Sequence, residues 1–294
     1  MPFRPILAAA ALAAGLMIPV AGTAQTTGPA TPPPVSAPSA AAKAEVAPLL
    51  DALGLNELLP IMRAEGLAYS EELALDMFPG RGGPRWEDLV DRIYGVDRMT
   101  DIMTTEMARE MDAETIAPVL EFFTSALGRR IVRLEVSARE ALLEPSVEEA
   151  SKAALAVMRQ EDAPRLDVLD RFVQANDLIE SNVVGALNSN WAFYQGLEAG
   201  GAFQGTLTEE EMLADVWGQE PVIRADTTDW VFSYLAMAYQ PLSDAEIDTY
   251  TTLSNTPEGE ALNTALFAAF DRMFTTISRE LGLAAATFMA GEDI

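Results

Sequence analysis

Apolar residues recur every three or four positions along most of the chain after residue 44, which places them on one face of an α-helix. The clearest stripe comprises Leu262, Ala265, Leu266, Ala269, Phe270, Met273 and Ile277. A similar stripe comprises Ile116, Val119, Leu120, Phe123, Leu127, Ile131, Leu134 and Leu142. Runs of alternating β-branched and polar residues, which are typical of strands, are missing. The pattern predicts an all-α protein.

Polar residues that favour helix starts support this prediction. The capping box, a Ser or Thr followed three residues later by Glu, occurs as Ser146 with Glu149, Thr208 with Glu211, and Ser243 with Glu246. Thr256-Pro257-Glu258 supplies a cap, a proline at the first helical position and an acid in the first turn. The run Glu209-Glu210-Glu211 lies where the helix dipole favours acids, so we predict capping there and no metal site.

One short motif occurs twice, 131 residues apart. Phe122-Phe123-Thr124-Ser125 is followed by Gly128, and Leu253-Ser254-Asn255-Thr256 is followed by Gly259. We interpret the motif as a structural corner in which Ser125 or Thr256 caps a new helix and the glycine allows close approach. Phe123 is predicted to be a core residue.

Weaker similarities extend this corner into a duplication. Residues 88–95 match 211–218 at an offset of 123, and 56–59 match 176–179 at an offset of 120. We predict two diverged tandem helical repeats packed as one helical body, residues 44–145 and 164–294, joined by a connecting helix over 146–163. Chance similarity between amphipathic helices is the alternative.

The first corner resembles a known family. The sequence Phe122-Phe123-x-Ser125-x-x-Gly128-Arg129 is similar to the F-Y-x-S-x-x-G-[KR] corner of the bacterial domain of unknown function 2059 (DUF2059). The resemblance extends over residues 44–283, although the second copy lacks both aromatic residues and the arginine. It implies a helical, exported protein, and it supplies no activity and no catalytic residues.

The amino-terminal segment has the features of an export signal. A short start with Arg4, an apolar run over residues 5–21 and small residues before Gln25 predict a signal peptide over 1–24, cleaved near Ala24. The alternative is an uncleaved membrane anchor. Residues 25–43 are rich in Pro, Ala and Thr and are predicted to be a disordered linker. We expect a periplasmic or secreted protein without a transmembrane span in the mature chain.

Composition limits the available chemistry. The 294-residue chain has no histidine and no cysteine, which excludes Ser-His-Asp triads, Cys-His dyads, disulfides and the usual zinc sites. Its 45 acidic and 19 basic residues give a net charge of −26, and loss of Arg4 with the signal peptide would make this −27. Such an acidic protein is not expected to bind nucleic acid. No cofactor and no metal are predicted.

A loop rich in glycine and proline is the first candidate site. In residues 77–85, Arg81 and Arg85 stand beside three glycines whose backbone amides could help to hold a carboxylate or phosphate. The loop lacks the lysine and the Ser or Thr of a P-loop. The alternative interpretation is an ordinary loop between helices.

Three arginines form a candidate interaction surface. Arg129, Arg130 and Arg133 lie on one predicted helix, and Arg129 and Arg133 share a face suited to an anionic partner. Because acidic residues are abundant nearby, ion pairing on a solvated or interdomain face is the favoured explanation.

A third candidate combines amides and aromatic rings. Asn188 and Asn190 precede Trp191, Phe193 and Tyr194, and aromatic residues beside amides can line a sugar-binding groove. The helical spacing favours a core location for Trp191 and Tyr194 instead.

These features favour a periplasmic binding or scaffold module whose partner is an envelope protein or a small ligand. The alternative function is a carboxylate-dependent hydrolase of cell-envelope glycan, since glycoside cleavage needs two carboxyl groups and no histidine. A structural or adhesive envelope component is a third hypothesis.

Overall fold

A computed structural model describes residues 37–291, which form thirteen helices and no strand. The all-α prediction is confirmed, whereas the signal peptide and most of the linker lie outside the described residues. The helices are α1 (Ala40–Ala52), α2 (Leu55–Met77), α3 (Pro84–Ile93), α4 (Val96–Glu110), α5 (Ala113–Thr124), α6 (Ala126–Ala141), α7 (Pro145–Gln160), α8 (Arg165–Ala175), α9 (Leu178–Ala199), α10 (Glu209–Gly218), α11 (Glu220–Ala238), α12 (Asp244–Ser254) and α13 (Pro257–Ala290).

Four of the predicted helix caps, Ser125, Thr208, Ser243 and Thr256, are found at helix starts. Thr208 and Ser243 form complete capping boxes at α10 and α12, and Thr256 caps α13 through the Gly259 amide. The capping box predicted at Ser146 is wrong. Proline at position 145 suits the first helical position, so α7 starts there and Ser146 lies inside the helix.

Helix α1 also begins earlier than the linker prediction implies. The Ser39 hydroxyl accepts a hydrogen bond from the Ala42 amide, and the helix includes residues 40–43. Lys43 then pairs with Asp101 of α4 at 2.8 Å. The ordered body therefore starts at Ala40 and not at Ala44.

The two predicted corners have the same local geometry. The Ser125 hydroxyl accepts from the Gly128 amide at 3.0 Å, and the Thr256 hydroxyl accepts from the Gly259 amide at 3.1 Å. A Cβ atom added at either glycine would lie within about 2.2 Å of the carbonyl oxygen six residues earlier, that of Phe122 or Leu253. Both glycines are thus required by a backbone contact, as the corner interpretation predicts.

Helix α13, with 34 residues, connects the parts of the body. It packs along α9 and also contacts α3, α4, α5 and α12. Near its end, Phe288 packs against both Phe78 and Trp86, at 5.4 Å between ring centroids in each case. The core is therefore continuous from the early helices to the last one.

Helices α9 and α13 run parallel and touch through their backbones. A Cβ atom at Gly196 would lie 2.1 Å from the Arg279 carbonyl oxygen, and one at Gly282 would lie 2.2 Å from that of Phe193. No side chain separates the two helices at this crossing. Both glycines are needed because any larger residue would force the helices apart.

None of the helices in residues 37–291 has the length and apolar character required to cross a bilayer.

The glycine crossing predicts a contrast between two substitutions on α9. Gly196→Ala should destabilise the protein by about 1–3 kcal/mol because the new methyl group meets the α13 backbone. Gly185→Ala is the matched control, since no atom lies within 4 Å of its added Cβ, and it should be neutral or stabilising by about 0.5–1 kcal/mol. Urea denaturation measures both. Equal effects would contradict the crossing described here.

Candidate functional site

The glycine-rich loop lies against the end of the last helix. Arg81 donates a hydrogen bond from Nη1 to the Met289 carbonyl at 2.7 Å, which satisfies an acceptor left open at the end of α13. Arg85 lies in the first turn of α3 and also has an interaction partner. The loop therefore joins α3 to α13, and its use as an anion site stays a prediction.

The three arginines of α6 do not form one uniform surface. Arg129 donates to the Thr124 carbonyl at its own corner, and Arg130 pairs with Glu246 of α12 at 2.6 Å. Arg133 is exposed, and no acceptor among residues 37–291 binds it. Arg130 thus forms an ion pair with a helix that lies 116 residues later in the chain.

The helix pair α9–α13 borders an open groove of about 600 Å³, a volume in the usual range for ligand sites. Its lining side chains are mostly polar, and Trp191 is the aromatic one. They are Asn188, Trp191, Ala192, Gln195, Gly196 and Ala199 from α9, and Asp271, Arg272, Thr275, Thr276, Arg279, Glu280 and Leu283 from α13. We call this the α9–α13 groove.

The glycine crossing explains why the groove walls are so close. Small residues of both helices are part of its lining: Ala192 and Gly196 on α9, and Thr275 on α13. Because the helices are parallel, equivalent turns face each other along the groove. Asn188 donates to Asp271 across one end at 2.8 Å, and Gly196 meets Arg279 near the other.

The predicted aromatic cluster is divided between three environments. Trp191 is partly buried: it packs against a small core cluster that includes Val183 and Leu187, as the core interpretation expects, and it also lines the groove. Phe193 is buried in the main core. Tyr194 is half-buried and donates to Asp215 of α10, and Asn190 donates to Gln219 at 3.0 Å. Only Asn188 and Trp191 of this cluster reach the groove.

The two carboxylates of the groove, Asp271 and Glu280, have different hydrogen-bond partners. Partial burial raises the pKa of Asp271, and the hydrogen bond from Asn188 opposes that shift. Glu280 accepts from both terminal nitrogens of Arg98 on α4, at 2.6 Å for the Nη1–Oε2 contact. Glu280 is therefore committed to a bidentate ion pair.

A second group of polar residues is buried between α6 and α11. Glu135 is only 6% exposed, and its Oε1 accepts from the Tyr239 hydroxyl at 2.5 Å. Its backbone carbonyl accepts from the Tyr234 hydroxyl at 3.0 Å. Burial raises the pKa of Glu135 to about 8, although the Tyr239 hydrogen bond favours the charged form.

Arg139 continues this buried cluster one turn later. Its Nε and Nη2 donate to both oxygens of Glu65 on α2, at 2.6 and 2.5 Å. The guanidinium also stacks on Trp230 of α11, 5.2 Å from the ring centroid. The cluster joins the early helices to α11. None of its residues lines the α9–α13 groove.

Two sequence signals for this cluster were overlooked. Glu135 and Arg139 fall four and eight residues after Ile131, on the predicted apolar stripe of α6. At the 131-residue offset their counterparts are Leu266 and Phe270, which are both buried core residues. Ionisable residues at core positions of an apolar stripe indicate an internal polar cluster.

The acidic run Glu209-Glu210-Glu211 occupies the first turn of α10, as the capping prediction requires. Within residues 37–291, no group of three or more acidic side chains has an arrangement that could hold a metal ion.

Comparisons with family models, curated proteins and solved structures yield no match to the chain.

The buried carboxyl predicts a specific pH dependence of stability. Glu135 has a pKa near 8 in the folded protein and an ordinary value of 4.5 when exposed, so the folded state holds a proton that the unfolded state loses. The resulting stability is fully present below pH 4.5 and is lost as the pH rises through 8. The full effect is on the order of 4–5 kcal/mol.

Glu135→Gln tests this directly because it keeps a neutral polar group at the site. Urea denaturation from pH 4.5 to 9 should show the wild type losing stability relative to the variant as the pH rises. Repulsion among the other acids affects both proteins equally and cancels in the difference. Parallel curves for the two proteins would rule out titration of Glu135.

Proposed function

We propose that the protein is an exported binding module and that the α9–α13 groove binds a hydroxyl-rich ligand, a carbohydrate of the cell envelope. One observation carries the proposal: the groove gathers Trp191, Asn188 and Gln195 on one wall opposite Thr275 and Thr276 on the other. Most other aromatic side chains of the chain pack within the core.

This set of side chains suits a sugar for a simple chemical reason. A sugar ring presents apolar C–H faces and hydroxyl groups that both donate and accept hydrogen bonds. An indole offers an apolar surface, and the Gln195 amide can both donate and accept. The Thr275 and Thr276 hydroxyls donate to carbonyls of their own helix, so they offer acceptors to the sugar.

The geometry favours binding over hydrolysis. Asp271 and Glu280 are nine residues apart on α13, which corresponds to about 13.5 Å along the helix axis. A glycosidase pair is separated by about 5–9.5 Å. Both oxygens of Glu280 also accept hydrogen bonds from Arg98. A carboxylate-dependent hydrolase therefore has less support.

Export and duplication belong to the same proposal. The chain would be cleaved near Ala24 and would work in the periplasm or outside the cell as a DUF2059-like protein. The order of helix lengths supports two diverged copies joined by α7. Helices α1 to α6 have 13, 23, 10, 15, 12 and 16 residues, and α8 to α13 have 11, 22, 10, 19, 11 and 34.

Under this proposal, the alignment of residues 56–59 with residues 176–179 has to be shifted. Asn56 lies inside α2, whereas Asn176 precedes α9, so an offset of 120 does not pair equivalent positions. The residues with positive φ before these helices are Gly54 and Asp177, which differ by 123. An offset of 123 then extends through the first helices of both copies.

Loss of ligand binding on substitution of Trp191 tests the proposed function. We expect a panel of neutral and acidic oligosaccharides to include ligands that shift the tryptophan fluorescence of the wild type. Trp191→Ala should weaken binding by at least about tenfold, because aromatic residues carry much of the binding free energy in such sites. Asn188→Ala with Gln195→Ala should also weaken it. Isothermal titration calorimetry confirms the affinities.

Trp217→Ala is the matched control. Trp217 lies on α10, is 60% exposed and is not part of the groove lining. Its removal should leave binding unchanged. A panel that produces no binding, or equal binding by the Trp191 and Trp217 variants, would contradict the proposal.

A further inference from the structure

We infer that the ligand of the α9–α13 groove is an acidic saccharide and that the Arg279 guanidinium binds its carboxylate. This inference rests on the proposed function and specifies the ligand class. It starts from an arginine to which none of the acids within residues 37–291 is paired, in a protein with a large excess of acids.

Arginines of the ordered body are mostly engaged. Arg98, Arg130 and Arg139 bind Glu280, Glu246 and Glu65, and the pairs join different helices. Arg279 lines the groove and is exposed, yet no carboxylate or carbonyl of residues 37–291 accepts from its side chain.

The acids nearest to Arg279 on α13 are not placed to neutralise it. Glu280 is the next residue, but both of its oxygens bind Arg98. Asp271 is eight residues earlier, about 12 Å along the helix axis, and accepts from Asn188. Among residues 37–291, the guanidinium at this end of the groove therefore has no ion-pair partner.

The backbone of Arg279 is fixed by close packing of α13 against α9. Its carbonyl oxygen lies at the glycine crossing, where a Cβ atom at Gly196 would come within 2.1 Å. Gln195, the neighbour of that glycine, lines the same groove. A guanidinium anchored on a rigid helix loses less freedom on binding than one on a loop. Its planar fork fits the two oxygens of a carboxylate.

Arg272 adds a second, weaker cation on the same wall. It lies seven residues before Arg279, about 10.5 Å along the axis. Its Nε is 3.8 Å from Glu106, while Arg109 binds the same carboxylate at 2.6 Å. Arg272 is therefore only loosely paired, and a ligand with more than one acidic ring could contact both arginines.

The test compares a soluble oligogalacturonate with its methyl ester, which has the same rings without the charge. Calorimetry at low salt should show that the wild type binds the acid at least about tenfold more tightly, as expected for charge-assisted hydrogen bonds. Arg279→Gln should remove this preference and retain binding of the ester. Arg279→Lys should retain part of the preference, since it keeps the charge but loses the fork.

Arg92→Gln is the matched control for the change in net charge. Arg92 is exposed on α3, lies outside the groove lining and has no acceptor among residues 37–291. This variant should bind both saccharides as the wild type does. A drop equal to that of Arg279→Gln would show a general charge effect and overturn the inference.

The remaining outcomes separate the inference from the proposed function. Equal binding of acid and ester by the wild type would refute the role of Arg279 and leave the carbohydrate proposal standing. Tighter binding of a sugar phosphate than of the uronate would overturn the choice of a carboxylate. Absence of binding to every saccharide would refute both proposals.

Discussion

The backbones of α9 and α13 touch, and the positions of both groove walls follow from that contact. Gly196 and Gly282 leave no side chain between the helices, so the two axes come as close as their main chains permit. Residues beside this glycine crossing form the walls of the α9–α13 groove, and the close contact of the two backbones fixes the distance between those walls. A binding site built in this way is rigid, because its width cannot change without breaking the closest contact in the helix pair.

Much of the fold could be predicted from local sequence. Capping residues such as Thr208, Ser243 and Thr256 act on the backbone three positions away, and so their effect is readable without knowing the fold. Ser146 misled because Pro145, one position earlier, is an equally good helix start. Prediction of a helix start fails where two neighbouring residues favour different starts to a similar degree.

The site was less accessible to sequence reasoning. Asn188 and Trp191 were singled out on α9, but their opposite wall comes from residues about 80 positions later. Sequence periodicity assigns a face to each helix without identifying the helix that packs beside it. Arg279 gave no signal of its own, since an exposed arginine becomes unusual only when the surrounding acids are known to be engaged elsewhere. The ionisable residues Glu135 and Arg139 were visible in the sequence, within an otherwise apolar helix stripe.

The contact between the loop after α2 and the end of α13 has a consequence for biosynthesis. Arg81 and Met289 are 208 positions apart, and Phe288 completes the packing around Phe78 and Trp86. At translation rates of about 5–20 residues per second, the early aromatic pair waits roughly 10–40 s for its covering residue. During that interval these apolar rings are exposed on the nascent chain, where chaperones or a second chain can bind them.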